Sequence, residues 1–151
     1  MVLMPEETAL LLEEKICDLY ELLDLNKEPT EAQIQEYDKQ MGITDLMPSV
    51  TEGEGRVRFA VFKDLWKKGH YITAGSKFGA DFLVYPGDPI GYHATYMVRC
   101  VFDKSFVMRP SDIVAFGRLS VAVNKLAVLA YCDEQNNVNY QTIQWHDSVN
   151  G

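Results

Sequence analysis

Residues 56–151 predict an α/β domain, and residues 1–50 predict a short acidic helical segment ahead of it. Three observations lead to that division. Hydrophobic spacing is helical in the first part, then switches between helical and strand-like runs in the second. Residues 48–55, Pro-Ser-Val-Thr-Glu-Gly-Glu-Gly, combine a proline, two glycines and no apolar period, which is the composition of a boundary. Charge divides at the same place: residues 1–55 carry 14 acids against 3 bases, whereas residues 56–151 carry 8 acids against 11 bases. The formal charge of −8 therefore describes neither part. The second part is mildly basic and compatible with contact to phosphate.

In the acidic segment, Pro5-Glu6-Glu7 suits a helix start, with proline in the first turn and carboxylates at the positive end of the dipole. Leu11, Leu12, Ile16, Leu19, Leu22 and Leu23 continue at helical spacing. A second helix is expected from Pro29-Thr30-Glu31 to about Met41, with Thr30 its N-cap and Gly42 its stop. Beyond the boundary, residues 57–68 predict an amphipathic helix. Phe59, Phe62, Leu65 and Trp66 would face a core, Lys63, Lys67 and Lys68 would face water, and Gly69 would end it. Strands are expected over 71–73, 81–85 and 95–102, joined through Gly75 to Gly79 and through Pro86-Gly87-Asp88-Pro89. Ser111-Asp112 is expected to cap a further helix, running to about Asn124. Two last strands, 126–131 and 139–145, flank a hairpin turn of Asp133-Glu134-Gln135-Asn136-Asn137.

Composition excludes some classes. With 47% hydrophobic and 24% charged residues the chain has the profile of a globular protein. No stretch approaches the roughly 20 apolar residues of a membrane-spanning helix. Met1 to Glu7 lacks the basic region and apolar core of a secretory signal. Cys17, Cys100 and Cys132 are an odd number without close spacing, which suits reduced thiols in an intracellular protein.

Magnesium nucleases need clustered carboxylates. The acids of residues 56–151 are scattered, and no Glu-x-Lys element occurs among them. No Cys/His spacing suits zinc, and Gly75-Ser76-Lys77-Phe78-Gly79 has neither the phosphate-loop nor the dinucleotide pattern. Neither a metal nor an organic cofactor is expected. Proton-transfer groups remain. Of His70, His93 and His146, His93 stands out because it follows a Pro/Gly-rich turn and precedes a strand. Tyr85 enters the same turn from the other side, and such loop–strand junctions place side chains in clefts.

The run from Phe59 to Gly69, then Lys77-Phe78-Gly79-Ala80-Asp81-Phe82, then Tyr85-Pro86-Gly87-Asp88-Pro89 and His93, resembles the catalytic domain of tRNA-splicing endonucleases. The likeness is to the eukaryotic catalytic subunit assigned to the 3′ splice site and covers roughly residues 56–147. A weaker likeness at Leu3-Met4-Pro5-Glu6-Glu7 suggests that residues 1–50 are a remnant of that subunit's N-terminal region. The resemblance implies a restriction-endonuclease-like mixed sheet with flanking helices. It implies a metal-independent endoribonuclease, located in the nucleus, that excises introns from precursor tRNA. The cut would fall at the 3′ junction and leave 2′,3′-cyclic phosphate and 5′-OH ends. Position by position, Tyr85, His93 and Lys125 fall on the family's catalytic residues. Arg118 and Trp145 fall on the pair that sandwiches a flipped-out base. A like-folded, non-catalytic partner would join through the C-terminal strand, with a homodimer in its absence. Two rival readings are an inactive structural subunit of the same complex and a DNA nuclease on the same fold. The complete triad weighs against the first, and the scattered acids weigh against the second.

Overall fold

A computed structural model describes residues 4–15, 52–102, 105 and 107–146. The chain divides into two compact units, Met1–Arg56 and Val57–Gly151. In the first, helix α1 spans Pro5–Glu13 with Pro5 opening it and Glu6 and Glu7 in its first turn. The Glu7 carboxylate accepts the Met4 backbone N–H at 2.7 Å, occupying a donor that the helix itself cannot satisfy. The helix expected after Pro29, its Thr30 cap and the boundary's first residues lie outside the described residues.

Five strands, one whole helix and the greater part of another build the second unit. Helix α2 is Gly53–Lys67, strand β1 Tyr71–Ala74, β2 Phe82–Tyr85, β3 Tyr96–Val101, helix α3 Pro110–Ala122, β4 Leu126–Cys132 and β5 Val138–Ile143. The sheet order is β1-β2-β3-β4-β5. Every neighbouring pair is antiparallel except β3 and β4, which run parallel. Parallel neighbours need a long crossover, and the 13-residue α3 supplies it. The result is the mixed sheet with flanking helices that the sequence predicts.

Alternation along the strands assigns each helix to a face. Phe82, Val84, Val98 and Val128 point to the α2 side. There the Phe62 and Phe82 rings lie 5.7 Å apart, and the Arg58 guanidinium both covers the Phe82 ring and meets Asp81 at 2.6 Å. Asp81 also accepts the Cys100 backbone N–H at 2.7 Å, so one carboxylate ties α2 to β3. Leu83, Met97 and Ala127 point to the other side, where they pack with Phe116 of α3. Met97 and Phe82 are fully buried. Burying a side chain of that size stabilises the fold by about 1.5–3 kcal/mol.

Several expectations shift in detail. Helix α2 begins at Gly53, inside the stretch read as boundary. Its buried stripe is Val57, Val61, Phe62 and Leu65, and Trp66 is exposed. Helix α3 has no side-chain cap; Arg109 precedes it and Pro110 occupies the first turn. Proline suits that turn because its missing N–H would be unpaired there anyway. Phe116, Gly117 and Ser120 face inward from α3, while Ile113, Leu119 and Val121 face outward. The hairpin turn forms as expected, with Asp133 accepting the Gln135 and Asn137 backbone N–H groups.

Candidate active site

The register of the sheet brings three of the candidate residues, Tyr85, Lys125 and Trp145, to one end of the strands. Tyr71 pairs with Tyr85 across β1 and β2. Val84 pairs with Tyr96, so Tyr85, the last residue of β2, lies beside Thr95, just ahead of β3. Tyr96 pairs with Leu126, so Thr95 stands beside Lys125. Ala127 pairs with Ile143, the last residue of β5, and Trp145 follows two positions on, at the end of the sheet where Lys125 precedes β4. Two backbone bonds tie this end of the sheet: Thr95 N–H to the Val84 carbonyl at 2.8 Å and Leu126 N–H to the Thr95 carbonyl at 2.9 Å. Tyr85 packs with the core on the α3 side, Lys125 stands over the Phe78 ring that packs there, and Trp145 stands over Gly117 of α3, so these three and Tyr71, the cross-strand partner of Tyr85, belong to the α3 side. With strands about 4.8 Å apart, Tyr85 and Lys125 flank Thr95 at roughly 10 Å between Cα atoms, within mutual reach of two long side chains.

Each member is held by a local device. The half-buried Tyr85 packs against the core under α3, and its phenol oxygen receives a hydrogen bond from Thr73 Oγ1 at 3.2 Å. Lys125 follows the C-terminus of α3, after Asn124 has turned the chain with a φ of 55°. Its Nζ lies 3.4 Å from the Val123 carbonyl and 5.7 Å from the centre of the Phe78 ring. A cation is favoured there by the negative end of the helix and by the aromatic face. Phe78 sits in the 3-10 turn Ser76–Phe78, between Gly75 and Gly79. A Cβ on Gly75 would come within 2.9 Å of the Phe82 backbone, and Gly79 takes a φ of 64°. Arg99 clamps the turn by donating twice to the Gly79 carbonyl. The Lys-Phe-Gly motif therefore builds the seat beneath Lys125.

His93 lies on the loop between β2 and β3, exposed to solvent. Asp88 folds that loop back by accepting the Ile90 N–H on its side chain and the Gly91 and Tyr92 N–H groups on its carbonyl. The Tyr92 ring closes over Gly87, where a Cβ would stand 2.6 Å from it. His93 is two residues from Thr95, so it rises at the same end of the strands. Arg118 and Trp145 lie together, with the guanidinium 5.2 Å from the ring centre. The Trp145 Cβ stands over Gly117, 3.4 Å from where a Cβ would project. A base can slide between the two only if the Arg118 guanidinium swings away from the indole.

Sequence reasoning missed Tyr71, Thr73 and Phe78. Tyr71 and Thr73 alternate along β1, and Phe78 lies inside the motif itself, but only the hairpin register shows which face they share. The opposite face holds a separate pocket of about 200 Å³, lined by Leu65, Lys68, His70, Tyr96, Tyr140 and Thr142 among others. Tyr140 donates to Asp64 at 2.5 Å there. Burial, and then that bond to a carboxylate, push the Tyr140 phenol above its usual range. Among the described residues, no three His, Cys, Asp or Glu side chains gather in a way that could hold a metal ion. No helix among them is long and apolar enough to cross a membrane.

Residues 56–140 match the model of the family described as tRNA intron endonuclease, catalytic C-terminal domain. The chain is 39% identical over 89 residues to the human tRNA-splicing endonuclease subunit Sen34 and 38% identical over 89 residues to its mouse counterpart. Each alignment covers 59% of this chain and 28% of the relative. Against a tRNA-splicing endonuclease of Saccharolobus islandicus the identity is 37% over 90 residues, covering 59% of this chain and 49% of the relative. The chain thus spans between about a quarter and a half of the length of these curated relatives. With the family model covering more than half of its residues, the chain belongs to the tRNA intron endonuclease family.

Proposed function

We propose that this chain is the RNA-cleaving subunit of a tRNA-splicing endonuclease, cutting precursor tRNA at the 3′ exon–intron junction. The observation that carries the reading is the row in which Tyr85 and Lys125 flank Thr95 at the sheet edge from which His93 rises. RNA supplies its own nucleophile, so no metal-bound water is required. Tyr85, as its phenolate, accepts the 2′-OH proton as that oxygen attacks phosphorus and leaves the step as the neutral phenol. Lys125 offsets the charge that builds on the pentacoordinate phosphorane, as a compact cation can. His93 donates a proton to the departing 5′-oxygen, the kind of transfer for which histidine is the commonest side chain. The products are a 2′,3′-cyclic phosphate and a 5′-OH end. Arg118 and Trp145 hold a base of the unpaired junction between a guanidinium and an indole, the mode by which single-stranded RNA is commonly read.

The mapping of this chain to the 3′ junction, and to a nuclear enzyme, rests on the family resemblance of its motifs, while the printed name of Sen34 supports a subunit of a tRNA-splicing endonuclease. Residues 1–50 would then be what remains of an N-terminal region, with residues 56–151 the nuclease domain. Strand β5 forms one edge of the described sheet. An open edge is a template for pairing with another chain, and its half-buried Val138, Tyr140 and Ile143 suit a like-folded, non-catalytic partner or a second copy.

The reading is tested on the assembled enzyme in excess EDTA. Cleavage is expected to persist and to leave the cyclic phosphate, and His93→Ala is expected to lose about 10²- to 10⁴-fold in rate while binding RNA as before. A strict magnesium requirement for the chemical step, a 3′-OH product, or full activity in His93→Ala would overturn it.

A further inference from the structure

We propose that Thr73 is a positioning residue for Tyr85, holding the phenol oxygen where it meets the 2′-OH. The inference rests on the catalytic role given to Tyr85 above and extends it to strand β1, which none of the expected site residues occupies.

The geometry comes from the β1–β2 hairpin. Thr73 pairs with Leu83 and Tyr71 pairs with Tyr85, so Thr73 is the diagonal neighbour of Tyr85 on the α3 face. Diagonal neighbours in an antiparallel pair are within reach of an aromatic side chain. The reach is used: Thr73 Oγ1 donates to the Tyr85 phenol oxygen at 3.2 Å, although twelve positions separate the two residues in sequence. Both side chains are half-buried, so the bond is partly shielded from competing water.

Three consequences follow. A phenol on a ring with packed sides still has freedom along its own plane, and a donor fixed on the neighbouring strand removes it. The threonine is stiff about χ1 because it is branched at Cβ, so its hydroxyl is a fixed post and not a floating one. The base form of Tyr85 is the phenolate, and a donor already aimed at its oxygen holds that form by a charge-assisted hydrogen bond, which is the stronger kind. Thr73 touches neither the RNA nor the scissile phosphate in this account. It acts through Tyr85 alone.

The test uses the complete endonuclease assembly and measures single-turnover cleavage and RNA affinity separately. Thr73→Val keeps the shape and strand preference of the side chain and removes only the hydroxyl. It is expected to slow cleavage about ten-fold, the scale of one hydrogen bond to a charged group, with RNA affinity unchanged. Thr73→Ser restores the donor and is expected to restore most of the rate. In a Tyr85→Phe background the post has nothing to hold, so adding Thr73→Val should change nothing further. Full activity in Thr73→Val, equal losses in the Val and Ser variants, or an additive loss on top of Tyr85→Phe would each overturn the inference. If Tyr85→Phe itself cleaves at the wild-type rate, the catalytic reading of Tyr85 falls and takes this one with it. If Tyr85→Phe is crippled and Thr73→Val is indifferent, this inference falls alone.

Discussion

Replacing Gly87 by alanine tests whether the loop that carries His93 must be held to within an ångström. The φ angle of Gly87 is not in the left-handed region, so the backbone itself accepts a side chain. The obstacle is Tyr92: a Cβ on Gly87 would stand 2.6 Å and 2.8 Å from two carbons of its ring. Carbon atoms rest comfortably at about 3.5–4.0 Å, so the ring must retreat by about 1 Å. Tyr92 is exposed and can swing outward, so the loss of stability should stay within about 0.5 kcal/mol. The consequence for rate is larger. Tyr92 is the residue immediately before His93, and a misplacement of a catalytic group by about 1 Å can cost about 10²-fold. Single-turnover cleavage by the assembled enzyme and urea melts of the same variant separate the two effects. Adding Tyr92→Ala removes the ring, and the double variant should recover to the rate of Tyr92→Ala alone. A Gly87→Ala enzyme that cleaves normally, or a double variant no faster than Gly87→Ala, would refute the claim that the ring transmits the strain to His93.

Three further outcomes are expected. Trp145→Ala should slow cleavage at the junction by the equivalent of about 1–3 kcal/mol, the range for stacking one base, while circular dichroism shows a folded domain; an unfolded variant would mark Trp145 as core packing. Gly75→Ala should destabilise the domain by about 1–3 kcal/mol in urea melts, because the new methyl meets strand backbone at Phe82 that cannot step aside; unchanged stability would mean the Phe78 turn is looser than its contacts indicate. Burial, and then the hydrogen bond to Asp64, hold the Tyr140 phenol above the usual tyrosine range. The neutral phenol is therefore favoured in the folded state, and its contribution is complete below about pH 10 and lost as pH rises further. Melting temperature should fall above that pH in the wild type and fall less steeply in Tyr140→Phe, and parallel slopes would refute the assignment.

Local chemistry made most of the elements after residue 56 legible. Alternation marked β1 to β5, Gly69 stopped α2, and the Asp133-to-Asn137 run formed the turn that its composition indicates. The errors have physical causes. Gly53 and Gly55 look like linker residues, yet they form the first turn of α2, where a poor helix former is tolerated because few backbone bonds depend on it. Trp66 was read as core because it is large and apolar, but it lies off the arc set by Val57, Val61, Phe62 and Leu65. The apolar Ile113, Leu119 and Val121 of α3 face outward because the packed face of that helix is narrow and uses the small Gly117 to let Trp145 approach.

The site itself was legible in a different sense. Tyr85 and Lys125 are forty positions apart, and nothing in propensity or periodicity links them. Their pairing came from the resemblance, residue by residue. What the fold adds is the reason such residues can meet. A parallel β3–β4 pair places the starts of both strands at one edge, and an antiparallel β2–β3 pair brings the end of β2 to that same edge. Any residue that closes β2 and any residue that opens β4 must then share a row, provided the register has the right parity. A shift by one residue in either pair would send Tyr85 or Lys125 to the α2 face. The buried Leu83, Met97 and Ala127 hold that parity, since slipping one strand would expose its half of the core. The hydrophobic pattern therefore does two things at once: it packs α3 against the sheet, and it keeps a tyrosine and a lysine from distant parts of the chain on one side of it.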